Sequence, residues 1–148
     1  MLSTKEIMTK DVVTVSPETQ IADAAKLLLE KGFNGVPVVD GTGKLVGLLC
    51  QSDLIAQQKK FPVPSVFTIL DGIISFTSMK HLEKEIQKMT ATTVADAMTP
   101  NPVTVAPETS IEEAGSIMVD KHFHTLPVVQ EGRLVGIVGK EDLLRTLV

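Results

Sequence analysis

Apolar and polar positions follow two rhythms along this chain, and both rhythms occur twice. Ile21, Ala24, Ala25, Leu28 and Leu29 return at helical spacing, and Ile111, Ala114, Ile117 and Met118 repeat that spacing further on. After each predicted helix come two uninterrupted apolar runs: VPVV (36–39) with LVGLL (45–49), then LPVV (126–129) with LVGIV (134–138). A short Gly-containing stretch joins each pair, which predicts a hairpin whose strands are covered on both faces. Shorter β-branched runs, VVTV (12–15) and PVTV (102–105), open the pattern and are closely followed by Pro17 and Pro107. Thr19 and Thr109 stand where they can cap the helices, and Thr109 has Glu112 three residues on, as a capping box needs. A last short helix is expected from about Ser52 and Asp53, and from about Glu141 and Asp142. The predicted order is β-α-β-β-α, written twice.

Residues 7–55 and 97–144 align with about 20 identities in roughly 47 positions, the mark of a duplicated unit. The offset is 90 residues until DGTGK becomes QEGR at the turn, and 89 after it. One such unit buries too little surface to stand alone, so the copies are expected to press together as one pseudo-symmetric domain. The expected divisions are 1–55 for the first copy, 56–92 for an insert and 93–148 for the second copy. Ser3 with Glu6, and Thr93 with Asp96, predict capping boxes on a lead-in turn before each copy. In the insert, VPSVFTILDGIISFTSM (63–79) is broken by Pro64, Asp71 and Gly72, too short and interrupted for a membrane span. The following SMKHLEKEIQKM sets Met79, Leu82, Ile86 and Met89 on one helical face. That face predicts a connecting helix packed on the core. The alternative is that residues 61–79 cover a neighbouring subunit or a partner.

Composition narrows the chemistry. The net charge of −4 carries no global nucleic-acid footprint, and five Phe without Trp or Tyr leave few stacking platforms for single strands. The single cysteine, Cys50, excludes an internal disulfide and fits a reducing compartment. MLSTKEIMTK at the N-terminus lacks an apolar signal core, so a soluble, cytoplasmic protein is expected. No Ser-His-Asp set, P-loop or G-x-G-x-x-G supports catalysis, and the expectation is a non-enzyme.

Paired MT-x-x-x-x-TV-x-P starts, h-P-V-V strands and G-h-h-x-x-x-D-L ends make the chain resemble a tandem CBS-domain protein, the cystathionine-β-synthase domain pair or Bateman module. The resemblance covers both copies and leaves the insert aside. It implies an α/β (α+β) fold of two β-α-β-β-α repeats packed as a pseudo-twofold CBS pair. It further implies two clefts that take an adenine nucleotide or other adenosyl compound: AMP, ADP, ATP, S-adenosylmethionine or NAD. Such a compound is a regulatory ligand, and no cofactor is required. Asp53 and Asp142 fall where the ribose diol would be held, since a carboxylate accepts two hydroxyls and is favoured in a helix's first turn. Their plain alternative is a helix-stabilising acid. The adenine would lie against Thr14, Val15, Thr104 and Val105, walled by Val36, Val38, Leu126 and Val128, which serve equally as core residues. Gly47 and Gly136 permit close backbone approach or mark a bulge.

Phosphate-binding relatives carry Ser or Thr three residues before the aspartate; this chain has Cys50 and Gly139, and neither offers a hydroxyl. Compensating contacts are expected from the second copy: His124, Lys140, Lys121 and His122, with the backbone of Gly139. His122 and His124 stand i, i+2, but no third ligand is placed by spacing and no metal site is expected. The resulting expectation is a sensor that signals in trans to an effector protein and forms a homodimer. The alternative is a structural or dimerisation scaffold that has lost ligand binding.

Overall fold

The computed structural model describes residues 2–60 and 92–148. The apolar stretch 61–79 and the predicted helix carrying Met79, Leu82, Ile86 and Met89 lie outside the described residues. The first copy runs α1 (Thr4–Ile7), α2 (Ile21–Lys31), β1 (Gly35–Val39), β2 (Leu45–Cys50) and α3 (Gln51–Lys60). The second runs α4 (Val94–Ala97), β3 (Thr99–Pro100), α5 (Ile111–Lys121), β4 (Thr125–Gln130), β5 (Arg133–Gly139) and α6 (Lys140–Arg145). The α-β-β-α succession that closes each copy is the one the apolar pattern predicts. Among the described residues no helix is long and apolar enough to cross a membrane.

The hairpins β1–β2 and β4–β5 are antiparallel, and each carries one bulge at the same place. Val38 pairs with Gly47 and Val39 with Leu45; Val128 pairs with Gly136 and Val129 with Leu134. One extra residue, Val46 or Val135, therefore sits on the second strand and sharpens its bend. The runs VVTV and PVTV do not become strands. Each contributes one parallel bridge, Val15 to Val38 and Val105 to Val128. The following Ser16–Thr19 and Ala106–Thr109 turns end the extended backbone at once.

Those turns also use the predicted caps. Thr19 Oγ1 accepts from Ser16 N at 3.1 Å, and Thr109 Oγ1 from Ala106 N at 3.0 Å, so neither caps a helix. The N-cap positions pass to Gln20 and Ser110, and Ser110 Oγ accepts from Glu113 N at 3.1 Å. Glu112 takes no part in a box. Thr93 N donates to Asp96 Oδ2 at 3.1 Å as predicted, whereas Ser3 makes no side-chain cap bond.

The two copies trade their lead-in segments. Thr4 N and Oγ1 both donate to the Thr109 carbonyl, each at 2.7 Å, and Thr9 exchanges two backbone bonds with Ile137 at 2.9 and 3.0 Å. Symmetrically, Val94 N donates to the Thr19 carbonyl at 2.8 Å, and β3 joins β2 through Gly47–Pro100 and Leu48–Thr99. Lys44 pairs with Arg133, its own equivalent, so the pseudo-twofold passes between the two hairpin turns. Two apolar clusters result. One holds Leu28, Val36, Val38, Leu49 and Val94; the other holds Met118, Leu126, Val128 and Val138. Val94 belongs to the first copy's core although it lies in the second copy's sequence. The trade thus gives each unit a core residue or a strand partner that its own stretch of chain does not contain.

Gly47 and Gly136 are required by that trade. A Cβ on Gly47 would overlap the Met98 sulfur, and one on Gly136 would overlap the Met8 sulfur. Both predicted roles, close approach and a bulge nearby, therefore meet at one position in each copy.

Candidate functional site

A cleft of about 200 Å³ opens between the copies. From the first copy it takes Thr9, Asp11, Val12, Val13, Asn34, Gly35 and Pro37; from the second it takes Thr125, Ile137, Gly139, Lys140, Glu141, Asp142 and Arg145. The trade of lead-ins places Thr9–Val13 there. The bend from α2 into β1 places Asn34. Strand alternation then sets Gly35 and Pro37 on the cleft side of β1, opposite Val36 and Val38.

Asp142 stands in the first turn of α6. Its Oδ2 accepts from Gly139 N at 2.7 Å, and its Oδ1 accepts from Arg145 Nη1 at 2.8 Å. In the first copy Asp53 Oδ2 accepts from Cys50 N at 2.8 Å, and Thr99 Oγ1 lies 3.4 Å from its Oδ1. Each carboxylate is therefore fixed by the backbone three residues before it, which orients one remaining oxygen. Gly139, with φ −104°, needs no special backbone freedom.

The residues expected around adenine lie elsewhere. Val36, Val38, Leu126 and Val128 have no solvent exposure and fill the two cores. Val15 N donates to the Pro37 carbonyl at 3.1 Å and its own carbonyl accepts from Val39 N at 2.9 Å. Val105 is tied in the same way to Pro127 and Val129, so the N–H of each is already paired within the sheet. Thr14 and Thr104 are exposed and do not line the cleft beside Asp142. The apolar side chains that line this cleft are Val12, Val13, Pro37 and Ile137.

The expected basic set also divides. Asn34 lines the Asp142 cleft while its carbonyl accepts from Gln51 N at 3.1 Å. Its repeat equivalent is His124, whose carbonyl accepts from Lys140 N at 3.1 Å. The pseudo-twofold thus assigns the His124 side chain to the Asp53 side, although its carbonyl is bonded to Lys140 N. His122 is the C-cap of α5 with φ 59°, where the first copy has Gly32 at φ 68°. That left-handed turn replaces the extended segment assumed for an i, i+2 pair. Lys121 is exposed in the last turn of α5. Among the described residues no three His, Cys, Asp or Glu are grouped to hold a metal ion.

Burial, and then the neighbouring Asp53 carboxylate, push the Cys50 thiol up to about 11. At neutral pH it is a protonated, slow nucleophile. Sequence reasoning missed Thr9, Val12, Val13, Pro37, Thr125 and Arg145. The period-two alternation through VPVV was the signal for Pro37.

With this geometry in place, known proteins give the family. The CBS domain family profile matches residues 5–60 and 94–148, and the chain belongs to the CBS-domain family. It is 34% identical over 147 residues to the chloroplastic CBS domain-containing protein CBSX1 of Arabidopsis thaliana, covering 95% of this chain and 61% of that protein. The chain therefore spans less than two thirds of that relative's length. The crystal structure of CBSX2 in complex with AMP superimposes with a TM-score of 0.75 at 30% identity, covering 99% of this chain and 96% of that one. The CBS domain pair of protein MJ0100, in complex with 5′-methylthioadenosine and S-adenosyl-L-methionine, gives a TM-score of 0.72 at 25% identity, over 99% and 96% of the chains.

Proposed function

We propose that this CBS pair is a non-catalytic regulatory module of the cytoplasm that takes an adenosyl ligand between its repeats and signals occupancy in trans. The observation that carries this reading is the pair of equivalent carboxylates, Asp53 and Asp142, each locked by a backbone N–H and each at a junction of both copies. A ribose diol is the ligand group that such a fixed carboxylate suits. Beside Asp142, Val12, Val13, Pro37 and Ile137 offer apolar walls for a flat base, the usual pairing of apolar lining with a few polar anchors. AMP, methylthioadenosine and S-adenosylmethionine, bound by the structural relatives, share adenine and ribose and differ beyond the 5′ carbon. Lys140 on one side, and His122 and His124 on the other, are the groups suited to an anionic 5′ extension.

Without Trp or Tyr the protein absorbs little at 280 nm, so copurified nucleotide would dominate its spectrum near 260 nm. Calorimetric titration with AMP, ATP, S-adenosylmethionine and NAD is expected to give heat with at least one. No heat from any at millimolar concentration would favour the second reading, a scaffold, which the missing hydroxyls at Cys50 and Gly139 support.

Gly139→Ser tests the phosphate half of the site. A Cβ there would meet only Asp142 Oδ2 at 3.7 Å and the His124 carbonyl at 3.8 Å, so a serine fits. Its hydroxyl should tighten AMP by about 0.5–1.5 kcal/mol, the net worth of one hydrogen bond. Adenosine, titrated in parallel, should be unaffected.

Self-association is part of the same reading. Leu29 and its equivalent Val119 are 80% and 72% exposed, and Ile55 and its equivalent Leu144 are 62% and 57% exposed. An apolar set repeated by the pseudo-twofold suits a second copy of the same pair. Light scattering should return twice the chain mass, and Leu29→Glu with Val119→Glu should return the monomer.

A further inference from the structure

We propose that Arg145 is a latch on the Asp142 cleft, which leaves Asp53, its repeat equivalent, the tighter anchor for the ribose of an adenosyl ligand. The latch presupposes that the two carboxylates take such a ligand, as proposed above. The repeats agree in every contact that anchors the two carboxylates: same position, same backbone donor, 2.8 Å in one copy and 2.7 Å in the other. They differ in what meets the second oxygen. Asp142 Oδ1 accepts from Arg145 Nη1 at 2.8 Å, whereas the first copy carries Ala56 at the equivalent position (145 − 89 = 56). Among the described residues, Asp53 Oδ1 has only the Thr99 hydroxyl, at 3.4 Å.

Arg145 lies at the rim, its side chain 69% exposed while that of Asp142 is 11% exposed. Its second amino group stands 3.9 Å from Glu141 Oε2, which steadies the guanidinium over the cleft. A ribose hydroxyl seeking Asp142 Oδ1 competes with a charged donor, and a charge-assisted bond is roughly twice as strong as a neutral one. At Asp53 the same hydroxyl displaces a long, neutral contact. Because the guanidinium is mostly in solvent, the latch is a weak one, worth at most about a fivefold change in affinity. Added salt screens it.

Adenosine is the probe, since its neutrality keeps phosphate electrostatics out of the reading. In the full chain, Asp53→Asn isolates the Asp142 cleft, and asparagine's oxygen still accepts from Cys50 N. Adding Arg145→Ala in that background should tighten adenosine up to about fivefold, and Arg145→Lys should hold it near the starting value. In the chain with only Asp53→Asn, raising salt should also tighten adenosine. An unchanged or weaker affinity in Asp53→Asn/Arg145→Ala overturns the latch. So does loss of the tighter site in Asp142→Asn in place of Asp53→Asn. Absence of adenosine binding to the unsubstituted chain overturns the ligand reading itself, and the latch with it.

Discussion

Asp53→Ala is expected to weaken AMP binding by about 1.5–3 kcal/mol, the scale of hydrogen bonds to a charged group. That is roughly a 10- to 150-fold loss, read by calorimetric titration. The same substitution strips Cys50 N of its acceptor, a bond of 2.8 Å, and should cost about 0.5–2 kcal/mol of stability as a lost cap does. Both losses follow from one carboxylate facing two ways. Asp53→Asn separates them, because an amide oxygen keeps the cap while the charge that strengthens the ribose contact is gone. An alanine variant that melts early yet binds AMP normally would leave Asp53 a helix acid and nothing more.

Gly136→Val should destabilise the fold by about 1–3 kcal/mol, the usual cost of forcing extra carbon into a packed site. The new Cβ would overlap the Met8 sulfur and stand 3.1 Å from the Thr9 carbonyl oxygen. That carbonyl cannot retreat freely, since it accepts from Ile137 N at 3.0 Å while Thr9 N donates back at 2.9 Å. The strain therefore falls on the joint between the copies. Met8→Ala in the same chain should recover part of the loss, and a double-mutant cycle by urea unfolding measures the coupling. Strict additivity would mean that Met8 does not press on Gly136.

Much of the architecture was legible because it rests on local chemistry. The duplicated LVG-h-h-x-x-x-DL, the helical spacing of Ile21, Ala24 and Leu28, and the two hairpin runs each report a neighbour a few residues away. The family followed from those same letters. What stayed hidden depends on which copy a segment packs against. Nothing in the order of residues 3–15 says that Thr9 will pair with Ile137 in the other copy. The cleft therefore lies upstream of the expected place, at Val12 and Val13. Val36 and Val38, readable as walls or as core, are core, and their neighbour Pro37 is the one facing the cleft. Alternation separates Pro37 from Val36 and Val38, but in an all-apolar strand it does not say which face meets the cleft.

The caps show a different limit. Thr19 and Thr109 had suitable chemistry, but their hydroxyls close the preceding turns and their carbonyls reach across to the other copy. His122 sits in a left-handed cap where glycine would be free of strain, which its spacing from His124 did not suggest. Arg145 carries no motif or spacing that marks it in the sequence. Its importance appears only when Asp142 is compared with Asp53, contact by contact.

The most direct measurement is an amide chemical-shift map of the full chain titrated with AMP. The resonances of Cys50 and Gly139, whose N–H groups hold the two carboxylates, should move together with Val13 and Asn34 or with their equivalents Val103 and His124. Saturation at millimolar AMP with no movement at any of these positions would contradict an adenosyl ligand held between the repeats.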